Sequence, residues 1–507
     1  MTKQKKAYFG LFATVMVLLG VLSSAGCGEA GQGAAIPDRP EKLSFGPLVY
    51  NPPNADDYRV KLAGGTVAYL VPDRSRPLVN IVIYVRVGDY VVPLGKEPLS
   101  EVMASMLTQG GTRSKTAQEL EERLEFLAAQ LNVGAADTEM SVRLNVLTQH
   151  LDEGLTILRE VLTAPRFQED RLALLKQQRL QAMKQRNDDS ADIERRERGF
   201  LAYGESFFTN RHATAASLES ITRDDLAAFH QEWFHPSSFV IAVSGDFERE
   251  AMIKKVDALL AEWPTPAKAA GPVPTNTAFG SPGVYLVDKA VNQGRVTVMV
   301  PGIRRDDADY FGVMVMNRIL GGGGFTSRIM KRVRSDEGLA YSAGSSFPGG
   351  VYYPLVFAAA FQTKSLTVAY ATSIVMDEMK RIATEAVSDQ ELHTAKRAFI
   401  DTFPQTFANA DQIANALGSD EVTGRYATDP GYWRTYRAKV DGVTKADVVR
   451  VAKKYLAAEK AVILVVGPKQ DILKGHPDHA VTLQSLSAGA LKDVPLRDPL
   501  TMKPVAR

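Results

Sequence analysis

Side chains able to do chemistry are few and scattered. The 507-residue chain has seven histidines and one cysteine. No His-x-x-Glu-His or His-Glu-x-x-His run sets two imidazoles on one helical face, the spacing a zinc hydrolase needs. His230 and His235 lie in a segment that recurs 222 positions later, where Ala452 and Ala457 stand, so the recurrence carries no paired ligand design. His476-Pro477-Asp478-His479 contains a proline that bars a regular helix interior. The glycine run Gly321–Gly324 is not followed by Gly-Lys-Ser/Thr, which excludes a phosphate loop and leaves a helix C-cap and a flexible turn. Arg334 and Tyr341 remain. A guanidinium fork can hold a peptide carbonyl or carboxylate, and a phenol can donate to a carbonyl or a developing oxyanion. Taken alone, the two read as a solvated helix arginine and an inward-packed strand tyrosine.

The chain that must position these residues is too long for one hydrophobic core. It is 45% hydrophobic and 23% charged, the composition of a folded protein. Sixty basic against 58 acidic residues, a formal charge of +2, give no reason to expect nucleic acid or a strongly anionic partner. The single Cys27 excludes an intramolecular disulfide. Lys3, Lys5 and Lys6 precede the apolar run Tyr8–Leu22, which is short for a bilayer span, and small residues lead into Cys27. This stretch resembles a bacterial lipoprotein signal (residues 1–27) with Cys27 as the lipidated residue. Ser24 stands where a large aliphatic residue is usual, so a secretory signal cut near Ala25 is the alternative. Residues 28–57, rich in Gly, Ala and Pro at the start, form a flexible tether. With Gly28 after the cysteine, the expected place is the cell envelope, with the body in the periplasm and an outer-membrane anchor.

An internal repeat organises the rest. Ile221-Thr222-Arg223-Asp224-Asp225-Leu226 opens a helix that runs past Trp233, and an apolar strand Phe239–Val243 ends at Gly245. Val443-Thr444-Lys445-Ala446-Asp447-Val448, Tyr455, Ala461–Val465 and Gly467 repeat the pattern. Thr222 and Thr444 suit helix N-caps. A shared cap, helix, strand and glycine imply a duplicated domain of about 210 residues, too long a period for a solenoid. Strands are expected at Val79–Val87 and Ser141–Leu147, and helices at 98–109, after a Thr116–Glu119 capping box, at 151–162 and at 169–186. The expected class is α+β. The expected domains are 58–270 and 283–467, joined by the linker 271–282. Periodicity fades beyond Gly467, so 468–507 is expected to be a poorly packed tail.

These residues carry a resemblance that spans about 58–467. Leu62-Ala63-Gly64-Gly65-Thr66, Val71-Pro72-Asp73, Gly110-Gly111-Thr112, Asn317-Arg318-Ile319-Leu320 with the glycine run, Ser327-Arg328-Ile329 and Gly338-Leu339-Ala340-Tyr341 are similar to the pitrilysin/insulinase-type inverzincin metallopeptidases, in their short bacterial two-domain form. The resemblance implies two homologous domains, each with mixed, mainly antiparallel sheets packed by helices, forming half of a clamshell-like chamber. In active members a first helix carries His-x-x-Glu-His, and a downstream helix supplies a carboxylate as third ligand. Here the five slots read Glu101, Val102, Met103, Ala104 and Ser105. The third-ligand slot falls near Gln181 or Ala182, and Arg171–Ile193 contains no glutamate. Glu101, Ala104 and Ser105 are thus degenerate zinc-motif positions, and no metal is expected in this chain.

Arg334 and Tyr341 match the family pair that holds substrate beside the scissile bond. The resemblance therefore implies a non-catalytic, substrate-binding subunit. Its partner would be a homologous chain that carries the zinc, and the pair would act on a peptide. The alternative is an envelope scaffold or binding protein that kept the fold without activity. A self-sufficient hydrolase with another metal site is the third and weakest reading.

Overall fold

The structure is a computed structural model that describes residues 38–39, 42–43, 49–263, 270–487, 489 and 491–505. The signal-like segment and Cys27 lie outside the described residues. Residues 51–507 form one compact unit.

Its first half is a six-stranded sheet: β1 (Arg59–Lys61), β2 (Val67–Pro72), β3 (Leu78–Val85), β4 (Gln130–Ala135), β5 (Met140–Leu147) and β6 (Phe239–Gly245), in the order β1-β2-β6-β3-β5-β4. Only β2 and β6 run parallel. The second half repeats this. Strands β7 (Gly283–Asp288), β8 (Gln293–Arg304), β9 (Ala343–Ser346), β10 (Gly349–Gly350), β11 (Leu355–Lys364), β12 (Val462–Gly467) and β13 (Leu491–Val494) give the path β13-β7-β12-β8-β11-β9, with β10 on β8. Strand β6 enters the first sheet between β2 and β3, parallel to β2 and antiparallel to β3, as β12 enters the second between β7 and β8, parallel to β7 and antiparallel to β8. Thr222 accepts from the Asp225 amide and Thr444 from the Asp447 amide, each closing a capping box. The duplication expected from the recurrent cap is therefore present as matched topology.

The helices that matter here are α1 (Leu99–Gln109), α2 (Ala117–Phe126), α3 (Leu151–Thr163), α4 (Glu169–Lys184), α5 (Ser190–Tyr203), α6 (Arg223–Trp233), α7 (Val368–Thr384), α8 (Ala410–Val422) and α9 (Lys445–Tyr455). Thr116 and Glu119 cap α2 reciprocally. One face of the first sheet is covered by helices of its own half, including α1 and α3. The other face is covered by α8, which belongs to the second half. Conversely, α5 of the first half lies on β12 and β8 of the second sheet, whose opposite face packs on α7 and α9.

Strand alternation explains why both faces can be covered. Val462, Leu464 and Val466 meet Ile193 and Ala202 of α5, whereas Ile463 and Val465 join the home core. In β6, Val240 and Ala242 meet Ala414 and Val422 of α8, and Phe239, Ile241 and Val243 join the other core. The near-continuous apolar runs of β6 and β12 are those of strands buried on both sides. Gly418 lets α8 approach closely, since a Cβ there would stand 3.0 Å from the Tyr84 ring and 3.2 Å from Ala242. Polar ties cross with the helices. Buried Thr297 donates to Glu194 at 2.6 Å, and Tyr84 donates to Asn415 at 2.9 Å.

The segment 468–507 differs from expectation. Lys469–Lys474 is a helix, and β13 adds to the sheet beside β7. The Leu500 carbonyl accepts from the Ala215 amide, and Leu500 packs against the first core. A four-residue edge strand carries too few alternations to show in a hydrophobic pattern.

Glu421, at the end of α8, accepts from Arg59 Nε and Nη2 (3.1 Å each) and from Tyr69 Oη at 2.8 Å. Burial alone would raise its pKa, but these donors outweigh burial and hold it below the ordinary value. Glu421→Ala would strand a buried phenol and a half-buried guanidinium. Urea unfolding should show a loss of about 2 kcal/mol, and an unchanged midpoint would refute the cross-half lock.

Candidate functional site

Helix α1 is fixed by Val102, Met103, Met106 and Leu107, all fully buried at the i, i+1, i+4, i+5 spacing of one apolar face. That face also takes Ala104, which is 4% exposed. Glu101 and Ser105, one turn apart, are left outside the core. Of the three degenerate positions, two therefore share an accessible face and the third packs inward.

A residue from α4 reaches this face. Arg179 Nη1 donates to Glu101 Oε2 at 2.5 Å, and Nη2 lies 3.2 Å from both the Glu101 carbonyl and Ser105 Oγ. Ser105 Oγ in turn donates to the Glu101 carbonyl at 3.0 Å. The expected third-ligand slot is close by: Ala182, one turn beyond Arg179, lines the same cavity as Glu101. That cavity is about 460 Å³ and is also lined by Asp89, Glu97, Asp137 and Arg186. Sequence reasoning missed Arg179. Its only signal was a basic residue near the slot where the motif calls for an acid.

The residues present do not fit a zinc ion. One carboxylate, one hydroxyl and one guanidinium supply a single anionic ligand. Among the described residues no group of three or more His, Cys, Asp or Glu is arranged to hold a metal. His212 lines this cavity with its Nε2 buried and without a partner, whereas His230, His476 and His479 are engaged elsewhere. His230 Nε2 lies 2.9 Å from the Leu162 carbonyl, its ring stacks on Phe234, and burial pushes its pKa down to about 4. His212 is pushed to about 4 by burial and then by the charges of Arg186, Arg196 and Arg497. His479 stacks on Tyr370 with centroids 3.6 Å apart, and His476 lies 4.7 Å from His479.

The second candidate set is in the other half. Ile329 and Val333 bury one side of the helical segment Arg328–Asp336, which turns Arg334 outward. Gly338 takes φ +63°, a conformation natural to glycine, and the chain then presents Tyr341 at 85% exposure. The inward-packed tyrosine expected from the residues alone is not what forms. The Arg334 guanidinium lies 4.9 Å from the Tyr341 ring centroid and 4.6 Å from that of Phe325. Phe325 is itself 71% exposed. It follows Gly324, whose φ of +60° ends the glycine run in a turn. Phe325 was not foreseen; its signal was a lone aromatic at the mouth of a polar, glycine-rich loop. The structure thus brings Arg334 and Tyr341 together and adds Phe325. It does not join them to the other set, since none of the three lines the cavity at Glu101.

Two mixed sheets with exchanged covers and an altered helix slot define a peptidase-like class in which, among the described residues, that slot carries no metal-ligand set. Residues 69–202 match the insulinase peptidase family (M16), and residues 220–399 match the peptidase M16 inactive domain. The chain belongs to the M16 family and resembles members described as inactive. It is 28% identical over 323 residues to the non-peptidase homolog YmxG of Helicobacter pylori, covering 60% of this chain and 70% of that one. It is 24% identical over 393 residues to the probable mitochondrial-processing peptidase subunit beta of Arabidopsis thaliana, covering 71% and 69%. The solved M16 inactive domain of Pseudomonas fluorescens superposes with a TM-score of 0.71 at 25% identity, covering 81% of this chain and 97% of that one.

Asp89 gives this region a pH signature. Ser100 Oγ donates to its carboxyl group. Burial nevertheless pushes its pKa up to about 6, with Glu101 and Asp137 adding to the rise. The unfolded chain ionises near the ordinary value of about 3.9. Ionisation therefore costs stability as pH rises from about 4 to about 6, and the full cost is present above that. Asp89→Asn keeps an acceptor for Ser100 and removes the cost. The variant should be more stable than the parent by about 2 kcal/mol at pH 7.5, with the gap closing by pH 4. A gap independent of pH would refute this.

Proposed function

We propose that this chain is the non-catalytic, substrate-binding subunit of a heteromeric zinc peptidase of the M16 family. It supplies Arg334 and Tyr341 to a homologous partner that carries zinc. The observation behind this reading is the contrast between the two candidate sets. The positions that would bind metal are rebuilt around an arginine, whereas Arg334 and Tyr341 stand together at the surface. Among the described residues no carboxylate pairs with Arg334, so its N–H edge is open to a peptide carbonyl. The aromatic rings on its faces limit its rotation and hold the fork ready. Tyr341 offers a phenol beside it. The chemistry of this chain is then binding and orientation: Arg334 holds a carbonyl, Tyr341 donates a second hydrogen bond, and the partner's zinc would supply the activated water. The signal-like segment ending at Cys27 supports a position for this work at the bacterial cell envelope, on the periplasmic side of a lipid anchor.

A scaffold or binding role for the same fold is the second reading. It is favoured by the similarity to a non-peptidase homolog and by a body whose two halves are locked by exchanged helices.

One experiment separates the two. The chain is combined with a zinc-bearing M16 partner, and kcat/KM is measured on a peptide library. Hydrolysis should require both chains. Arg334→Ala and Tyr341→Phe should each lower kcat/KM, on the order of a hundredfold for the arginine, with assembly unchanged. Normal hydrolysis by the variants would favour the scaffold, and zinc-dependent hydrolysis by this chain alone would overturn the division of labour.

A further inference from the structure

We infer that Arg179 is the resident cation of the degenerate zinc site: its guanidinium sits against the first and fifth slots, joins α1 to α4, and keeps divalent ions out. In the pattern this chain departs from, two imidazoles on one helix and a carboxylate on a later helix converge on an ion, so the ion is also the bond between the helices. The same two helices are bonded here. Glu101 and Ser105 occupy the slots of the imidazoles, and Arg179 lies three residues before Ala182, on the same face of α4. Its fork is used as a bridge, with one nitrogen on the Glu101 carboxylate and the other shared by the Glu101 carbonyl and Ser105 Oγ. Its third nitrogen, Nε, is buried without a partner, so its surroundings admit little water. The ion pair is partly screened, with the Arg179 side chain 26% and the Glu101 side chain 53% exposed.

The substitution has a chemical logic. A guanidinium cannot be deprotonated at physiological pH and cannot be removed by a chelator. It balances the carboxylate that remains, and it offers planar donors where a metal would offer a charged centre. A divalent ion entering the same place would meet one anionic ligand and a fixed positive charge within a few ångström. Retaining the helix-to-helix bond while losing the metal keeps the wall of the adjacent cavity in place. None of this depends on a partner subunit, so it stands or falls separately from the proposed function.

The test grafts ligands into the mature chain: Glu101→His, Ser105→His and Ala182→Glu together, once with Arg179 retained and once with Arg179→Gln added. Ala104 is left alone because its side chain is buried. Zinc is counted by elemental analysis, and affinity is read by competition with a chromophoric chelator. The graft carrying Arg179→Gln should hold one zinc per chain, and the graft retaining Arg179 should bind at least tenfold more weakly. Equal binding by the two grafts, or none by either, would overturn the exclusion.

A second measurement uses single variants of the otherwise natural chain. Arg179→Gln should lower the thermal midpoint by a few degrees, and Arg179→Lys should recover only part of the loss. Neither zinc nor a chelator should move the midpoint of the unaltered protein. Unchanged midpoints in both variants would overturn the bridging role, and a zinc-induced rise in the unaltered protein would overturn the exclusion.

Discussion

The exchange of cover helices is the constraint on which the rest of the molecule depends. Each central strand is apolar on both sides, and one side of each is covered by a helix of the other half. Strands β6 and β12 expose alternate residues to opposite layers, so losing a foreign helix would leave a row of valines, leucines and alanines in water. At roughly 25 cal/mol per Å² of apolar surface, that penalty far exceeds the contribution of any single ion pair in the structure. The halves are therefore interdependent. The buried contacts between Thr297 and Glu194 and between Tyr84 and Asn415 set the alignment of packing that is already favourable.

Within that frame the two candidate sets have opposite characters. Around α1 most polar groups are paired: Arg179 bridges Glu101 and Ser105, although its Nε is buried without a partner, and Ser100 donates to Asp89. Such a network stabilises helix packing. Around Arg334 the arrangement is open. Two exposed rings flank a guanidinium that, among the described residues, has no hydrogen-bond partner. Aromatic residues and arginine together form the composition that dominates binding energy at interfaces.

Much of this was legible in the chain itself. The recurrence of Thr222 and Thr444 with their downstream strands announced a duplication, because a cap, an amphipathic helix and a buried strand are local patterns. The missing imidazoles at Glu101 and Ser105 were equally plain, since the i, i+4 requirement is a property of one helix. Arg179 was not legible as a partner of Glu101. Its side chain spans 78 positions of sequence, and an arginine on a polar helix looks like any solvated one. Phe325 and the exposure of Tyr341 were hidden for a similar reason, because the direction of a side chain after a glycine turn is set by what surrounds the turn.

The sequence by itself determined the duplicated α+β plan, the strands that need cover on both faces, and the absence of a metal-binding motif, because each follows from residue type and short-range spacing. Tertiary structure alone decided which half covers which sheet, that Leu491–Val494 adds a strand to the second sheet, and that a guanidinium bridges the altered site. Those outcomes are set by contacts between residues far apart in the chain, where distance and burial, not composition, determine which groups meet.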